Sequence, residues 1–106
     1  MRMKSVENYP QFIRQRMLVI SYDIKNDKLR NSFNKMLCKH GAIRLQYSVY
    51  EVNHTNRICD NLILKIEAEF SSKFGGDDSV IIFDVAGVKL KKYGNAIHRD
   101  KDIVYL

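Results

Sequence analysis

The sequence predicts a single α+β domain in which strands and helices follow one another in the order β-α-β-α-β. Two observations predict this class: three short segments are rich in the apolar, β-branched and aromatic residues of strands, and the two segments between them have apolar residues at helical spacing. The chain has 106 residues, of which 45% are hydrophobic. A chain of this length buries about two-thirds of its unfolded surface, enough for one core but not for two domains.

The first strand is predicted from Met17 to Ile24. Successive side chains of a strand point to opposite faces, and both faces of this segment begin with apolar residues, Leu18 on one and Val19 on the other. Strands that are apolar on both faces are normally covered on both. We therefore expect helices on one face of the sheet and a second layer on the other.

Two helices are predicted between the strands. The first has Asp27 as its N-cap and ends at Gly41, and Phe33 lies in its apolar stripe. The second follows Thr55, which is also a capping residue, and ends at Ser71-Ser72. Apolar residues at these spacings indicate that each helix packs one side against the sheet.

The remaining strands complete the sheet. Arg44 to Val52 is predicted as one long strand with a kink near Ser48, and Ser79 to Val85 as the third strand, in an antiparallel or mixed sheet. The chain ends in a short apolar strand that needs a sheet edge for its amides, and a second copy of the chain can supply that edge. The residues of this last strand are Ile103, Val104, Tyr105 and Leu106.

Apolar runs and cysteine usage bear on the cellular setting. The longest uninterrupted apolar runs have four or five residues, far below the roughly 20 that cross a bilayer, and the N-terminal residues lack the pattern of a secretory signal. Cys38 and Cys59 stand alone, without C-x-x-C pairing, which is typical of buried thiols in a reducing compartment. We expect a cytoplasmic protein with no membrane partner.

Basic residues dominate the charge. The net charge is +6, and the segment from Lys25 to Arg44 has six basic residues against one acidic residue. One interpretation is a solvated helix face. The other, which the overall charge favours, is contact with the phosphate backbone of a nucleic acid, largely independent of base sequence. The predicted contacts are Lys25, Lys28, Arg30 and Arg44, together with Arg14 and Arg16 before the first strand.

Asp23 is the candidate catalytic residue. Common enzyme motifs such as the P-loop and H-E-x-x-H are absent from the sequence, and the three histidines are dispersed. A carboxylate at the end of an apolar strand is costly to bury, so Asp23 either caps the following turn or lies at a site on an interface edge. In a symmetric dimer, two Asp23 side chains would face each other and could hold Mg²⁺, or Mn²⁺, for phosphodiester hydrolysis.

Four segments together resemble the CRISPR-associated Cas2 family. They are Tyr22-Asp23-Ile24, Asp27 to Arg30, Arg44 to Glu51 and Asp78 to Phe83. The resemblance covers residues 17 to 106 and implies a ferredoxin-like β-α-β-α-β sandwich with extra C-terminal strands. It also implies a homodimer packed through its sheet faces, with the last strand crossing to the partner. Residues 1–16 have no family counterpart and are expected to be an N-terminal arm or an upstream start-codon choice.

The same resemblance implies a function. Asp23, one from each protomer, would be the metal-binding catalytic carboxylate of a Mg²⁺-dependent endoribonuclease, and Arg30 and Arg44 would contact the nucleic-acid backbone. The dimer would bridge two integrase dimers and hold duplex protospacer DNA during spacer acquisition, with single-stranded RNA as a further ligand. Ser32 stands where many relatives have a basic residue, which interrupts the basic ridge. Two alternatives stay open: a DNA-binding scaffold without relevant catalysis, and a toxin-type ribonuclease of the VapD kind.

Overall fold

The computed structural model describes residues 15–85 and 91–94. The described elements are β1 Gln15–Asp23, α1 Asp27–Lys39, β2 Ile43–Gln46, β3 Val49–Thr55, α2 Asn56–Lys65 and β4 Ser79–Asp84. After α2 the chain continues through a π-helical turn, Ile66–Phe70, and a 3₁₀ turn, Ser71–Lys73. Arg14 and the predicted last strand, Ile103–Leu106, lie outside the described residues.

The strands form one antiparallel sheet in the order β2-β3-β1-β4. β1 lies inside the sheet and pairs with β3 on one side and β4 on the other. Both helices pack on the same face, because one core cluster joins Leu18 of β1 with Phe33 of α1 and Leu62 of α2. The predicted α+β class is confirmed, and the connectivity is that of a ferredoxin-like sandwich.

The face of the sheet under the helices holds the core. Leu18, Ile20 and Val52 have no exposed surface, and neither has Phe33. The Phe33 ring meets Tyr22 edge-on, with 5.2 Å between the ring centroids. Burial of one such apolar side chain stabilises the fold by about 1.5–3 kcal/mol. These alternate residues of β1 and β3 therefore fix the sheet against the helices.

The opposite face of the sheet is only partly covered, and we call it the open face. Ile81 and Phe83 of β4 are 53% and 50% exposed there, and Phe83 lies opposite the half-buried Val19 in the register. The predicted second layer is not formed by the described strands and helices. Directly opposed residues of an antiparallel pair share a face. The open face includes Met17, Val19, Ser21 and Asp23 of β1, Val49, Glu51 and Asn53 of β3, and Ser79, Ile81 and Phe83 of β4.

The region predicted as one strand from Arg44 to Val52 is two strands, so that prediction is wrong. β2 and β3 pair antiparallel and are joined by a tight turn at Tyr47-Ser48. Ser48 has a φ of 67°, which lies in the left-handed region. Residues other than Gly, Asn and Asp rarely adopt this conformation. Aromatic and β-branched residues on both sides of the turn gave an unbroken strand pattern, which hid the reversal of the chain.

The helix starts are capped by side chains. The N-cap of α1 is Asn26 rather than the predicted Asp27: Asn26 Oδ1 accepts a hydrogen bond from Leu29 N at 2.8 Å, and Asp27 lies in the first turn. The prediction of Thr55 as the cap of α2 is confirmed, because Thr55 Oγ1 accepts from Ile58 N at 3.3 Å. Both caps satisfy backbone N–H groups that have no partner within the helix.

The two cysteines differ in burial. Cys59 is buried in α2, as predicted, and burial raises the pKa of its thiol. Cys38 is exposed on α1, so its predicted burial is wrong; it follows the fully buried Leu37 and lies on the outer side of the helix. No helix within residues 15–85 is both long enough and apolar enough to span a membrane.

Candidate functional site

Three loops meet at one end of the sheet, which we call the loop end. β1 ends there at Asp23, where β4 begins. The β2–β3 turn is at the same end, because Tyr22 N donates a hydrogen bond to Ser48 O at 3.1 Å. The loop before β4 joins them through Asp78, which accepts a hydrogen bond from Lys25 N. The topology thus brings together residues that are far apart in the sequence.

Asp23 is the last residue of β1 and points to the open face. Its side chain is 62% exposed, and one carboxylate oxygen lies 3.2 Å from Lys25 Nζ. The N-cap of the following helix is Asn26 and not Asp23. The carboxylate is therefore accessible to a ligand and already has a cation beside it, although that exposed ion pair contributes little to stability.

Asp78 joins two of the loops by hydrogen bonds, a role that was not predicted from the sequence. Its Oδ1 accepts from Lys25 N at 2.8 Å, and its Oδ2 accepts from Gly75 N at 2.7 Å. These two backbone hydrogen bonds lower the pKa of the Asp78 carboxyl. The side chain thereby positions the backbone that carries both Asp23 and Lys25. The sequence contains one signal for this role, an aspartate shortly after Gly75-Gly76. Asp side chains in turns commonly accept hydrogen bonds from backbone N–H groups.

The predicted lysine contacts lie side by side at this end. Lys25 is 61% exposed and Lys28 is exposed. Both line a shallow depression of about 660 Å³, which Lys73 borders from the other side. Asp77 and Asp78 belong to the same depression, so its charge is mixed rather than uniformly positive. Cations of this kind contact phosphates, although Lys25 is also paired with Asp23 and the Lys73 ammonium lies over the Phe70 ring.

Arg30 is more constrained than the lysines. One guanidinium nitrogen donates to Ile24 O at 2.9 Å, and another donates to Asp27 Oδ1 at 2.5 Å. The hydrogen bond to Asp27 raises the pKa of Arg30. With its side chain 23% exposed, Arg30 holds the β1–α1 loop against the first turn of α1. Its predicted contact with nucleic acid stays a prediction beside this structural role.

Arg44 and Tyr47 form a pair at the β2–β3 turn. The Arg44 guanidinium lies over the Tyr47 ring, 5.5 Å from its centroid. Tyr47 is 69% exposed. No sequence motif predicted that this aromatic ring would be exposed. The turn geometry that exposes the ring was hidden by the prediction of a continuous strand.

Arg16 is far from the loop end. It lies near the start of β1, seven residues from Asp23, which corresponds to roughly 23 Å along an extended strand. Its guanidinium forms ion pairs with Asp60 at 2.5 Å and Asp84 at 3.0 Å, and the bond to Asp60 raises its pKa. The structure therefore does not bring Arg16 together with the other predicted basic contacts, and a phosphate contact by Arg16 stays a prediction.

Asp23 is the candidate ligand for a metal ion at the loop end. Within residues 15–85 and 91–94, no group of three or more His, Cys, Asp or Glu side chains could hold a metal ion. Asp23 supplies one accessible carboxylate. Mg²⁺ commonly binds to one or two carboxylates and keeps several water ligands. Asp23 therefore has the chemistry of a protein ligand for a magnesium ion.

The fold and the loop end define a class of protein: a small ferredoxin-like α+β domain with an exposed carboxylate at the end of an inner strand and exposed basic side chains around it. Residues 16–95 match the family model of CRISPR associated protein Cas2. The chain belongs to this family. The resemblance seen in the sequence is confirmed, and the family defines the biological system as CRISPR.

Individual relatives agree at the level of family and fold. A 35-residue segment is 51% identical to CRISPR-associated endoribonuclease Cas2 2 of Methanospirillum hungatei, covering 33% of this chain and 38% of that protein, so the match spans well under half of the relative's length. The crystal structure of a hypothetical protein from Thermus thermophilus is similar at 26% identity, with TM-score 0.58, over 76% of this chain and 94% of that one. A crystal structure of Cas2, 23% identical, has TM-score 0.56 over 76% of this chain and 87% of its own, which shows the fold.

Proposed function

We propose that this chain acts as a homodimer in CRISPR adaptation. The dimer binds duplex protospacer DNA through its basic loop end, bridges integrase dimers, and cuts phosphodiester bonds of RNA at a Mg²⁺ site made by two Asp23 carboxylates. The single observation that carries the proposal is the position of Asp23. It is exposed at the end of β1, on the open face, with a lysine ammonium beside it.

The open face favours dimerisation at the place where Asp23 lies. Ile81 and Phe83 expose apolar surface on the same face of the sheet, and apolar surface of this kind is normally covered by another element or another chain. A two-fold axis through the open face pairs each residue with the equivalent surface of the partner. An axis near the loop end would bring the two Asp23 side chains together.

The residues at the loop end suit phosphodiester hydrolysis. When bound, Mg²⁺ supplies Lewis-acid stabilisation of charge on the phosphate oxygens and a more acidic water. Asp23 would hold the ion through its accessible carboxylate, and Asp78 fixes the backbone that carries Asp23 by its hydrogen bond to Lys25 N. Lys25 and Lys28 attract the phosphate backbone into place.

The substitution Asp23→Asn tests the proposal, because it keeps the size of the side chain and removes one negative charge from each protomer. We expect ribonuclease activity to fall by roughly 100-fold or more, while the melting temperature and sedimentation behaviour stay those of the wild type. EDTA should abolish wild-type cleavage, and Mg²⁺ or Mn²⁺ should restore it. Asp77→Asn is the matched control, since Asp77 is also exposed at the loop end.

Three results would change the conclusion. Equal activity of Asp23→Asn and the wild type would remove Asp23 from the catalytic site. If the wild type cuts neither RNA nor DNA with any divalent metal, yet binds duplex DNA and supports spacer acquisition in cells, the protein is a DNA-binding scaffold. If it is active as a monomer in sedimentation, the shared metal site is wrong.

A further inference from the structure

The β2–β3 turn presents an aromatic ring to solvent in a fixed position. Tyr47 is 69% exposed, and it does not belong to the core cluster. The Arg44 guanidinium lies 5.5 Å from the ring centroid, a cation–π contact that orients the ring. Arg44 covers part of the ring. The high exposure of Tyr47 shows that side-chain surface remains accessible to a flat ligand.

The backbone of the β2–β3 turn is hydrogen-bonded to β1. Ser48 has a φ of 67°, which costs an L residue roughly 1–2 kcal/mol, and its carbonyl accepts a hydrogen bond from Tyr22 N at 3.1 Å. Strained backbone that the surrounding structure maintains is concentrated at functional sites. The conformation of Ser48 sets the direction in which Tyr47 leaves the turn. The hydrogen bond from Tyr22 N joins the turn to β1, one residue before Asp23.

The charge around the ring is positive. Arg44 contacts the ring directly, and Arg30 lies close enough to Tyr47 to interact with it electrostatically. Lys25, exposed at the same end of the sheet, adds a further cation, although its ammonium is paired with Asp23 and the Arg30 guanidinium with Asp27. An exposed aromatic ring among cations is the arrangement with which proteins bind single-stranded nucleic acid: the cations attract the phosphates, and the ring stacks on an unpaired base.

We infer that Tyr47, oriented by Arg44, is a stacking platform for an unpaired nucleobase. The inference rests on the nucleic-acid binding proposed above and adds a substrate preference to it. A ligand with an unpaired base at the loop end, such as single-stranded RNA or a frayed duplex end, binds more tightly than a fully paired duplex of equal charge. Stacking depends little on base identity, since every base has a π-face, so the preference is for unpaired structure and not for sequence.

Fluorescence anisotropy with three labelled probes tests this inference. The probes are a short single-stranded RNA, the same RNA with abasic positions, and a blunt DNA duplex. Removing the ring by Tyr47→Ala should weaken binding of the intact RNA about tenfold, because stacking on one base is worth about 1–3 kcal/mol. The loss should be much smaller on the abasic RNA and on the duplex, and the salt slope should stay unchanged because no phosphate contact is lost.

Two variants serve as controls. Tyr47→Phe keeps the ring and should bind the RNA like the wild type, which separates stacking from a hydroxyl contact. Tyr93→Ala removes a tyrosine that is 77% exposed outside the β2–β3 turn and should have no effect. Thermal melts of each variant show that the fold is kept.

The outcomes separate this inference from the proposed function. If the wild type binds the probes and Tyr47→Ala binds all three as tightly, the platform is wrong and nucleic-acid binding stands. An equal loss on abasic and intact RNA would show that Tyr47 acts on the backbone or the fold. If the wild type binds no probe, the proposed nucleic-acid binding fails.

Discussion

The two faces of the sheet use the same strands for different purposes. On the helix-covered face, Leu18 and Ile20 of β1 are completely buried. On the open face, Val19 from between them is half-buried, Phe83 beside it is 50% exposed, and the strand ends in the exposed Asp23. Successive side chains of β1 therefore alternate between the buried core and the open face. The covered face determines the fold, and the open face is available for assembly and chemistry.

The largest expected effect comes from making the same substitution on the two faces. Phe33 has no exposed surface and packs edge-on against Phe70, with 5.2 Å between centroids. Phe33→Ala should lower the free energy of unfolding by about 4 kcal/mol, because it leaves a cavity that the core cannot fill. Phe83→Ala should change it by less than about 1 kcal/mol when measured on the monomer. Urea unfolding followed by circular dichroism measures both.

The effects on dimerisation should have the opposite order to the effects on stability, with the change at Phe83 larger than the change at Phe33. Phe83→Ala removes apolar surface from the open face and should weaken dimerisation in sedimentation equilibrium, whereas a folded Phe33 variant with a milder change, Phe33→Leu, should dimerise like the wild type. If Phe83→Ala unfolds the chain as strongly as Phe33→Ala, the open face is part of the core and the contrast between the faces is lost. Unchanged dimerisation of Phe83→Ala would move the interface elsewhere.

The covered face was also the part that the sequence predicted best. Short segments that are apolar on both faces located β1 and β4, and helical spacing placed Phe33 in the core. Local chemistry was less certain: the N-cap was off by one residue, and the left-handed Ser48 gave no signal because it is neither Gly nor Asn. Long-range pairs could not be predicted at all. Arg16 binds Asp60 and Asp84, which are 44 and 68 residues away, and only the folded sheet brings them together.

A buried ion pair marks the open face beside Val19. Glu51 of β3 is 2% exposed, and Lys92 Nζ lies 2.6 Å from its Oε1, although the approach is not aligned as a hydrogen bond. The pair attaches residues 91–94 to β3. Lys92→Met would leave the Glu51 carboxylate without this cation in a buried place and should destabilise the fold by about 3 kcal/mol.

A double substitution sharpens this prediction. Glu51→Leu combined with Lys92→Met should recover much of the lost stability, since replacing both members of a buried pair by apolar residues is often neutral. Lys91→Met alters an exposed neighbour and should have little effect. Additive losses in the double variant would show that the two side chains do not interact, and that residues 91–94 are held by other contacts.

The smallest effect concerns Asp78, which joins the loops beneath the open-face carboxylate. Its pKa in the folded protein is lowered by the hydrogen bonds from Lys25 N and Gly75 N, whereas in the unfolded chain it has the ordinary value of about 3.9. A carboxylate with a lowered folded pKa stabilises the fold above its unfolded pKa, and this contribution is lost as the pH falls through the folded value. Acidification below about pH 4 should therefore loosen the loop end.

Asp78→Asn isolates this contribution. The amide offers one acceptor oxygen to two N–H donors, so the variant should melt at a lower temperature than the wild type at pH 7. The gap should narrow as the pH is lowered through the range in which the wild-type carboxylate becomes protonated. Differential scanning calorimetry over a pH series measures the gap, with Asp77→Asn as the control at the adjacent exposed position. A gap that stays constant with pH would show that Asp78 acts through shape or packing and that its charge does not contribute to holding the Asp23 loop in place.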